Sequence, residues 1–417
     1  LPRQATLRFA FTAFTIAQLV SIFGDRLHQF SVVGMIGRVA PGSAVDLFLF
    51  ALFGHLPILL FAPLLGTVVD RTNRALVLVV VDVFRGALAA IIPWLYHRMG
   101  NLYAFYFPVF FLSFANLLFA PAKSAAIPQY FGRLKLLRIN AILWGLGIVG
   151  TIGGFVVGGW LFDYHSWELG FYSDAASYFV SVTLLLPLLG LSRRPRHRAH
   201  AKPDNATDDS HGYRPGGKSG VGTAFREALG LIRKDRWIAY GLITQTCLLG
   251  VFGVLYVVGI SRIQEVLPAG KAMYLSAVAT AGTLGLLAGS VSATLIHGRM
   301  TVNRVVSLST VALGLSLAGL SQARSLVPLM AWTFAMGLAF SPIMVVTETM
   351  LQIHIPDVYR GRVFAVREVG VKISFLAMSF LGTLSTAVAD KPLVLFGTGV
   401  FLAAAGIWLE RKGCLRI

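Results

Sequence analysis

The sequence predicts an all-α membrane protein: twelve transmembrane helices in two six-helix bundles. Three observations carry that expectation. Hydrophobic residues make up 56% of the 417 positions and charged residues only 13%, against about 25% charged in a soluble domain; mean hydropathy is +0.73. Apolar runs long enough to cross a bilayer, which takes about 20 residues, fall six before and six after one long polar passage, residues 193–236. Lys and Arg are divided unequally between alternate loops, the bias that orients helices in a membrane. In lipid every backbone amide must be bonded within its own segment, so such runs are helices.

In order, the runs are 9–36, 45–69, 75–97, 101–122, 139–162 and 168–192, then 237–261, 272–296, 305–323, 325–347, 363–389 and 392–409. This divides the chain into a first bundle (1–192), a basic linker (193–236) and a second bundle (237–417). With both termini on the cytoplasmic side, that side holds 25 of the 36 Lys and Arg and the opposite side only 6. In the linker, Phe225, Leu229 and Ile232 stand at helical spacing among Arg226, Arg233 and Lys234. They predict an amphipathic helix on the inner leaflet, its cations near anionic headgroups, or a cytosolic extension of the seventh span. Residues 195–221, rich in Pro, Gly, Ser, Asp and His, read as a linker. The halves echo each other weakly. Phe119-Ala120-Pro121 is matched by Phe340-Ser341-Pro342, and Asn73-Arg74 by Asn303-Arg304. Duplicated halves are a transporter architecture.

Several classes are not expected. The pI of 10.3 raises nucleic acid as a partner, but the basic residues are dispersed rather than clustered on a face. No GxxxxGK[ST] phosphate loop is present, nor a HExxH helix or Cys/His cluster that would hold a metal. Cys247 and Cys414 are too far apart in the chain to form a framework. An enzyme, a cofactor and a bound metal are therefore not expected. The first run flows into charged residues rather than a small-residue cleavage site, so no cleavable signal peptide is expected.

Gly66, Asp70-Arg71 and Arg74 stand between the second and third runs; Leu351-Gln352, Pro356 and Arg360-Gly361-Arg362-Val363-Phe364 follow the tenth. The first set resembles the signature loop of the major facilitator superfamily. The second resembles its branch of macrolide-efflux proteins, siderophore exporters and lysophospholipid transporters. Phe23-Gly24-Asp25 and Phe119-Ala120-Pro121-Ala122-Lys123 are similar to the lysophospholipid transporter group in particular. The resemblance covers the whole chain and implies the major facilitator fold: two pseudo-symmetric bundles around a central cavity that opens to each side in turn. It implies that Gly66, Asp70, Arg71 and Arg74, with Arg360, Gly361, Arg362, Arg367 and Glu368, form the gate at the cytoplasmic mouth, Asp70 bonding across to the second half. Two departures stand out. Thr151 occupies the proline position of the helix-5 antiporter motif, and residues 101–122 contain no charge. Gly150, Gly154 and Gly158, and likewise Gly285 and Gly289, recur at four-residue spacing, the pattern that lets helices pack backbone to backbone in lipid. Helices 5 and 8 of this superfamily face each other across the halves, which implies smooth sliding faces there, or static packing.

A charge inside the membrane is a functional candidate by default, at a cost of about 2.5–3.5 kcal/mol on insertion scales. Asp25 and Arg26 come first. At 1.5 Å per residue, Asp25 lies about 24 Å along its helix. Adjacent helical residues do not face each other, so each must look elsewhere for a partner. Asp25 can couple protons or form a structural ion pair; Arg26 can meet an anionic substrate group or a structural partner. His28, a turn from Gly24, can relay protons or simply pack. Lys372, roughly 13 Å into its span, can meet substrate or an acid. Asp82 and Arg85, three apart, are expected to pair with each other, and Glu348 to join the gate. Aromatics such as Phe105, Phe107, Phe110 and Phe111 suit a hydrophobic cavity or a lipid face. The resulting expectation is a monomeric transporter in a bacterial inner membrane, surrounded by lipids and exporting an amphipathic small molecule in exchange for protons. A lysophospholipid flippase on the same fold is the alternative, and a non-transporting sensor or scaffold displaying the linker is a third.

Overall fold

A computed structural model describes residues 2–70, 72–131, 136–192, 221–267, 271–296 and 299–412. The side chains at 62–70, 221–225, 357, 358, 360 and 361 are outside that description, as are residues 71 and 193–220. Every regular element among the described residues is helical: α1 (Pro2–Val39), α2 (Ala44–Asp70), α3 (Arg74–Met99), α4 (Tyr103–Phe131), α5 (Leu136–Tyr164) and α6 (Trp167–Ser192). Then come α7 (Val221–Lys234), α8 (Arg236–Val254), a π-turn (Leu255–Gly259), α9 (Ile260–Val266), α10 (Ala272–Ile296), α11 (Val302–Gln322), α12 (Leu326–His354), α13 (Asp357–Ser385) and α14 (Lys391–Lys412).

Among the described residues ten stretches are long and apolar enough to cross a membrane, with α8, the π-turn and α9 counting as one. The remaining two of the twelve spans are α1 and α13, 38 and 29 residues long. They carry several of the charges singled out above, such as Asp25, Arg26, Arg367, Glu368 and Lys372.

The packing repeats from one half to the other. In the first, α1 lies on α5, α2 on α4, and α3 on both α4 and α6; in the second, α8 lies on α13, α10 on α12, and α11 on both α12 and α14. The bundles meet through two symmetry-related pairs, α5 with α10 and α2 with α13. Within each helix the division between neighbour and lipid follows the 3.6-residue period. On α3, for example, Ala75, Leu78, Asp82, Arg85, Ala89 and Ile92 are buried, while Leu76, Val80, Val83, Phe84 and Ile91 are exposed on the membrane side.

Helix ends are set by local chemistry. Asn73 Oδ1 accepts from Ala75 N at 3.1 Å and opens α3; Gly100 at φ 64° closes it in the left-handed conformation that glycine adopts without strain. Asp235 Oδ1 accepts from Trp237 N at 2.8 Å and Ile238 N at 3.2 Å. That cap separates α7 from α8, so the amphipathic segment is a helix of its own rather than an extension of the seventh span. Leu231 and Ile232 of α7 pack against a cluster containing Ile238, Leu351 and Val363, and Glu227 pairs with Arg362. Thus α7 is docked on the second bundle.

The glycine faces act in helix packing, but within bundles rather than between them. A Cβ at Gly150, Gly154 or Gly158 would meet α1, at Ile22, Arg26 and Phe30 respectively; one at Gly285 or Gly289 would meet the α12 backbone at Phe334 O or Leu338 O. Spacing marks a smooth face and says nothing of its partner. The close approach across the bundles falls instead at Gly159, where a Cβ would lie 2.6 Å from Ser276 Oγ.

Candidate functional site

The largest consequence of that arrangement is a cavity of about 320 Å³ between the bundles. Its walls are Gln29 and Phe30 of α1, Phe155 of α5, Phe252 of α8, Tyr256 of the π-turn and Phe375 of α13, with further apolar contributions from α10 and α12. The π-turn forms where Ile260 N donates to Leu255 O, five residues back. Such turns often mark functional sites because they re-aim the side chains around them; here Leu255, Tyr256 and Gly259 all face the cavity. None of Phe105, Phe107, Phe110 and Phe111 lines it. Phe105 is buried inside the first bundle, and Phe107 and Phe111 are exposed on its outside.

One end of the cavity is closed at the face where α1 passes into α2. Gly42, at φ 69°, presents a carbonyl that accepts from Ser261 Oγ and, at 2.5 Å, from Lys391 Nζ. Lys391 also pairs with Glu265 at 2.5 Å. Gln264 Nε2 donates to Val33 O at 3.1 Å. Asp163 at the end of α5 accepts from Ala272 N at 2.7 Å and Met273 N at 2.9 Å, and so caps α10 of the opposite bundle. Beneath these bonds a single apolar cluster runs through both bundles, with Phe30, Val33 and Phe162 packed beside Val257 and Ala272.

Asp25 and Arg26 diverge, as adjacent helical residues must. Asp25 turns into the first bundle, where Tyr178 Oη donates to its Oδ1. Arg26 turns toward α5 and the cavity wall: Nη1 donates to Gln29 Oε1 at 2.7 Å and Nε to Thr151 Oγ1 at 3.3 Å. Thr151, at the position where the antiporter motif has proline, thus supplies an acceptor that proline lacks. Among the described residues neither Asp25 nor Arg26 has an oppositely charged partner within ion-pair distance, although Lys123 of α4 lies near enough to Asp25 for their charges to interact.

His28 does not reach the cavity. Its Nδ1 stands 3.0 Å from Asp174 Oδ2, within ion-pair distance although not aligned as a hydrogen bond, and its ring packs edge-on against Phe171. Asp82 and Arg85 pair at 3.3 Å, both fully buried, with Ser181 Oγ donating to Asp82 at 2.7 Å and Arg85 donating to Asn116.

In the second bundle Lys372 Nζ lies 3.6 Å from Glu368 on its own helix. Arg367 reaches Glu348 at 2.5 Å and Glu368 at 3.9 Å, and Gln245 Nε2 donates to both Thr347 and Glu348 at 3.1 Å. This cluster ties α8, α12 and α13 together. Of the remaining gate residues, Arg74 opens α3. Gly66 and Asp70 at the end of α2, Arg71, and Arg360 and Gly361 of α13 lie outside the described residues and side chains, as does the contact expected of Asp70.

His55, which the sequence reading passed over, stands behind a wall residue of the cavity. It stands on α2 inside the membrane, stacks on Phe375 of the opposite bundle at 4.9 Å, and bonds through Nδ1 to Ala51 O at 2.8 Å. A lone histidine in the apolar run 45–69 was a signal of the same kind as Asp25. No cluster of His, Cys, Asp or Glu that could hold a metal occurs among the described residues.

Twelve spans in paired bundles, meeting at α5–α10 and α2–α13 around a central cavity, define a polytopic carrier. The sequence profile of the Major Facilitator Superfamily matches residues 4–321, and the chain belongs to that superfamily. It is 25% identical to YfiS, an uncharacterized MFS-type transporter of Bacillus subtilis (strain 168), over 88% of this chain and 85% of that one. It is 24% identical to the MFS-type transporter Rv0037c of Mycobacterium tuberculosis (strain ATCC 25618 / H37Rv), over 93% and 87%. Among solved structures, a bacterial homologue of the iron transporter ferroportin in its inward-facing state aligns with a TM-score of 0.70 at 14% identity, over 96% of this chain and 98% of the other. The nucleoside transporter NupG aligns at 0.69 and 16%, over 96% and 99%. At those identities the structural likeness establishes the fold.

Proposed function

We propose that this protein is a secondary active transporter that exports an amphipathic small molecule across a bacterial inner membrane by alternating access, in exchange for protons. It acts as a monomer with both termini in the cytoplasm. The observation that carries the reading is the apolar cavity between the bundles, sealed at the α1–α2 face by hydrogen bonds from one bundle to the other. An amphipathic substrate fits a cavity whose wall is aromatic and whose edge carries Gln29 and, one hydrogen bond away, Arg26. Proton exchange is supported by Asp25, a carboxylate inside the membrane that accepts a hydrogen bond from the Tyr178 hydroxyl; intramembrane acids of this kind mark proton relays.

The test is proton movement in proteoliposomes carrying an internal pH-sensitive dye, challenged with macrolides, hydrophobic cations and lysophospholipids. Substrate-triggered proton flux that disappears in Asp25→Asn, with substrate binding retained, is the expected result. Substrate movement with no proton flux in the wild type would remove the coupling from the proposal. No movement of any amphiphile would remove the export.

A further inference from the structure

Arg26 is a guanidinium inside the membrane that the protein leaves unneutralised. Its Nη1 and Nε are held by the neutral oxygens of Gln29 and Thr151, and among the described residues no carboxylate lies within ion-pair distance of it. Three other cations along the spans are treated differently. Arg85 has Asp82, Arg367 has Glu348 and Lys372 has Glu368. Neutral acceptors orient a guanidinium without cancelling its charge, so its remaining donors can still grip an anion, for which the planar fork of Arg is suited.

The position of Arg26 matters as much as its charge. Gln29, its hydrogen-bond partner, is a wall residue of the cavity. On the opposite bundle Lys372 precedes the wall residue Phe375 by three positions on α13, as Arg26 precedes Gln29 by three on α1. Both helices start at the same end of the molecule, so both cations lie one turn from the cavity toward the end away from the Gly42 closure. His55 stacks on Phe375 at that level. Among the described residues Glu368 is the one carboxylate within ion-pair distance of Lys372, so Arg26 and Lys372 together outweigh it. The cavity is therefore apolar within and net cationic on one rim.

We infer that the transported amphiphile carries an anionic head (a carboxylate, phosphate or sulfate), bound by Arg26 at the rim with its apolar body among Phe30, Phe252, Tyr256 and Phe375. The inference rests on the carrier reading above and names the class of its substrate. Thr151 takes its place as a positioning residue, since its hydroxyl fixes the Arg26 fork. Lys372 adds a weaker, long-range attraction because Glu368 already shares it.

The experiment uses the full chain in zwitterionic nanodiscs and four ligands with the same dodecyl tail: the sulfate, the phosphate, the maltoside and the trimethylammonium. Binding of each is measured to wild type, Arg26→Gln and Arg26→Lys. The sulfate and phosphate are expected to bind at least tenfold more tightly than the maltoside, and the trimethylammonium most weakly. In Arg26→Gln the anionic-to-neutral ratio falls toward one, while Arg26→Lys keeps most of it. A wild-type protein that prefers the maltoside or the cation, or a ratio unchanged in Arg26→Gln, overturns the inference. The wild-type series and Arg26→Lys decide the matter even where Arg26→Gln does not fold. If the maltoside or the cation binds and is also moved in proteoliposomes, the carrier reading survives and the anionic head alone is lost; if none of the four binds in nanodiscs or moves in proteoliposomes, both fall. Replacing a fifth of the disc lipid by phosphatidylglycerol separates the sources: competition identifies a membrane lipid as the anionic head, and its absence a free solute.

Discussion

At the scale of single residues, the buried charges fall into two kinds. Asp82 and Arg85 neutralise each other beneath Phe119, whose ring lies 4.2 Å from the guanidinium. Removing one member of such a pair leaves an uncompensated charge, worth about 3–5 kcal/mol of stability. Arg85→Met is expected to lower the thermal unfolding midpoint sharply, and the double substitution Asp82→Leu/Arg85→Met to lower it less than either single change. A double variant as unstable as the sum of the two would show that the partners act separately. Asp82 and Arg85 were legible as a pair because they sit three apart on one helix. The partners of Asp25 and His28, Tyr178 and Asp174, are about 150 residues along the chain, and nothing in the pattern of a single sequence links them. The sequence likewise offered Thr151 as a missing proline; only its place beside Arg26 shows what the hydroxyl does.

At the scale of helices, packing in lipid depends on how closely backbones approach, because lipid supplies little hydrophobic force between spans. Gly285 is the sharpest case, since a Cβ there would stand 2.1 Å from Phe334 O, and a main-chain atom cannot turn aside. Gly285→Val is expected to force α10 from α12 and to cost about 1–3 kcal/mol or more, as overpacking does. At Gly145 a Cβ meets nothing within 4 Å, so Gly145→Ala is expected to be neutral or to stabilise by about 0.5–1 kcal/mol. The unfolding midpoints of the two variants check this contrast, and equal losses would contradict it. Helix existence was legible from hydropathy throughout. Which apolar faces meet lipid and which meet the cavity was not: Phe107 and Phe375 look alike in sequence, and only tertiary placement separates them.

At the scale of the whole molecule, the contacts that the two bundles make at the α1–α2 face must part if the cavity is to open there. Asp163 and Met273 stand on opposite sides of that boundary and touch through the cap of α10. With Cys247 and Cys414 replaced by serine, Asp163→Cys and Met273→Cys joined by a short bifunctional maleimide should hold the face shut and stop transport. The unlinked double variant keeps it, though slowed by loss of the cap. Full transport by the cross-linked protein would mean that this face does not move. A milder form of the same test is Lys391→Ala, which removes both the Gly42 bond and the Glu265 pair; labelling of a cysteine placed at Val33 should speed up several-fold as the closed form becomes less populated.

The bond network around Gly42 also has a genetic consequence. On the first bundle the acceptor is a main-chain oxygen, which no substitution can delete, and a side chain at that position would crowd Glu265 at 2.9 Å. The donors, Ser261 and Lys391, are ordinary side chains and all belong to the second bundle. At the Gly42 junction itself, inherited variation can therefore tune the closure from the second bundle only. In a selection for revertants of a transport defect caused by too firm a closure, compensating changes should accumulate at 261, 265 and 391, while position 42 stays glycine.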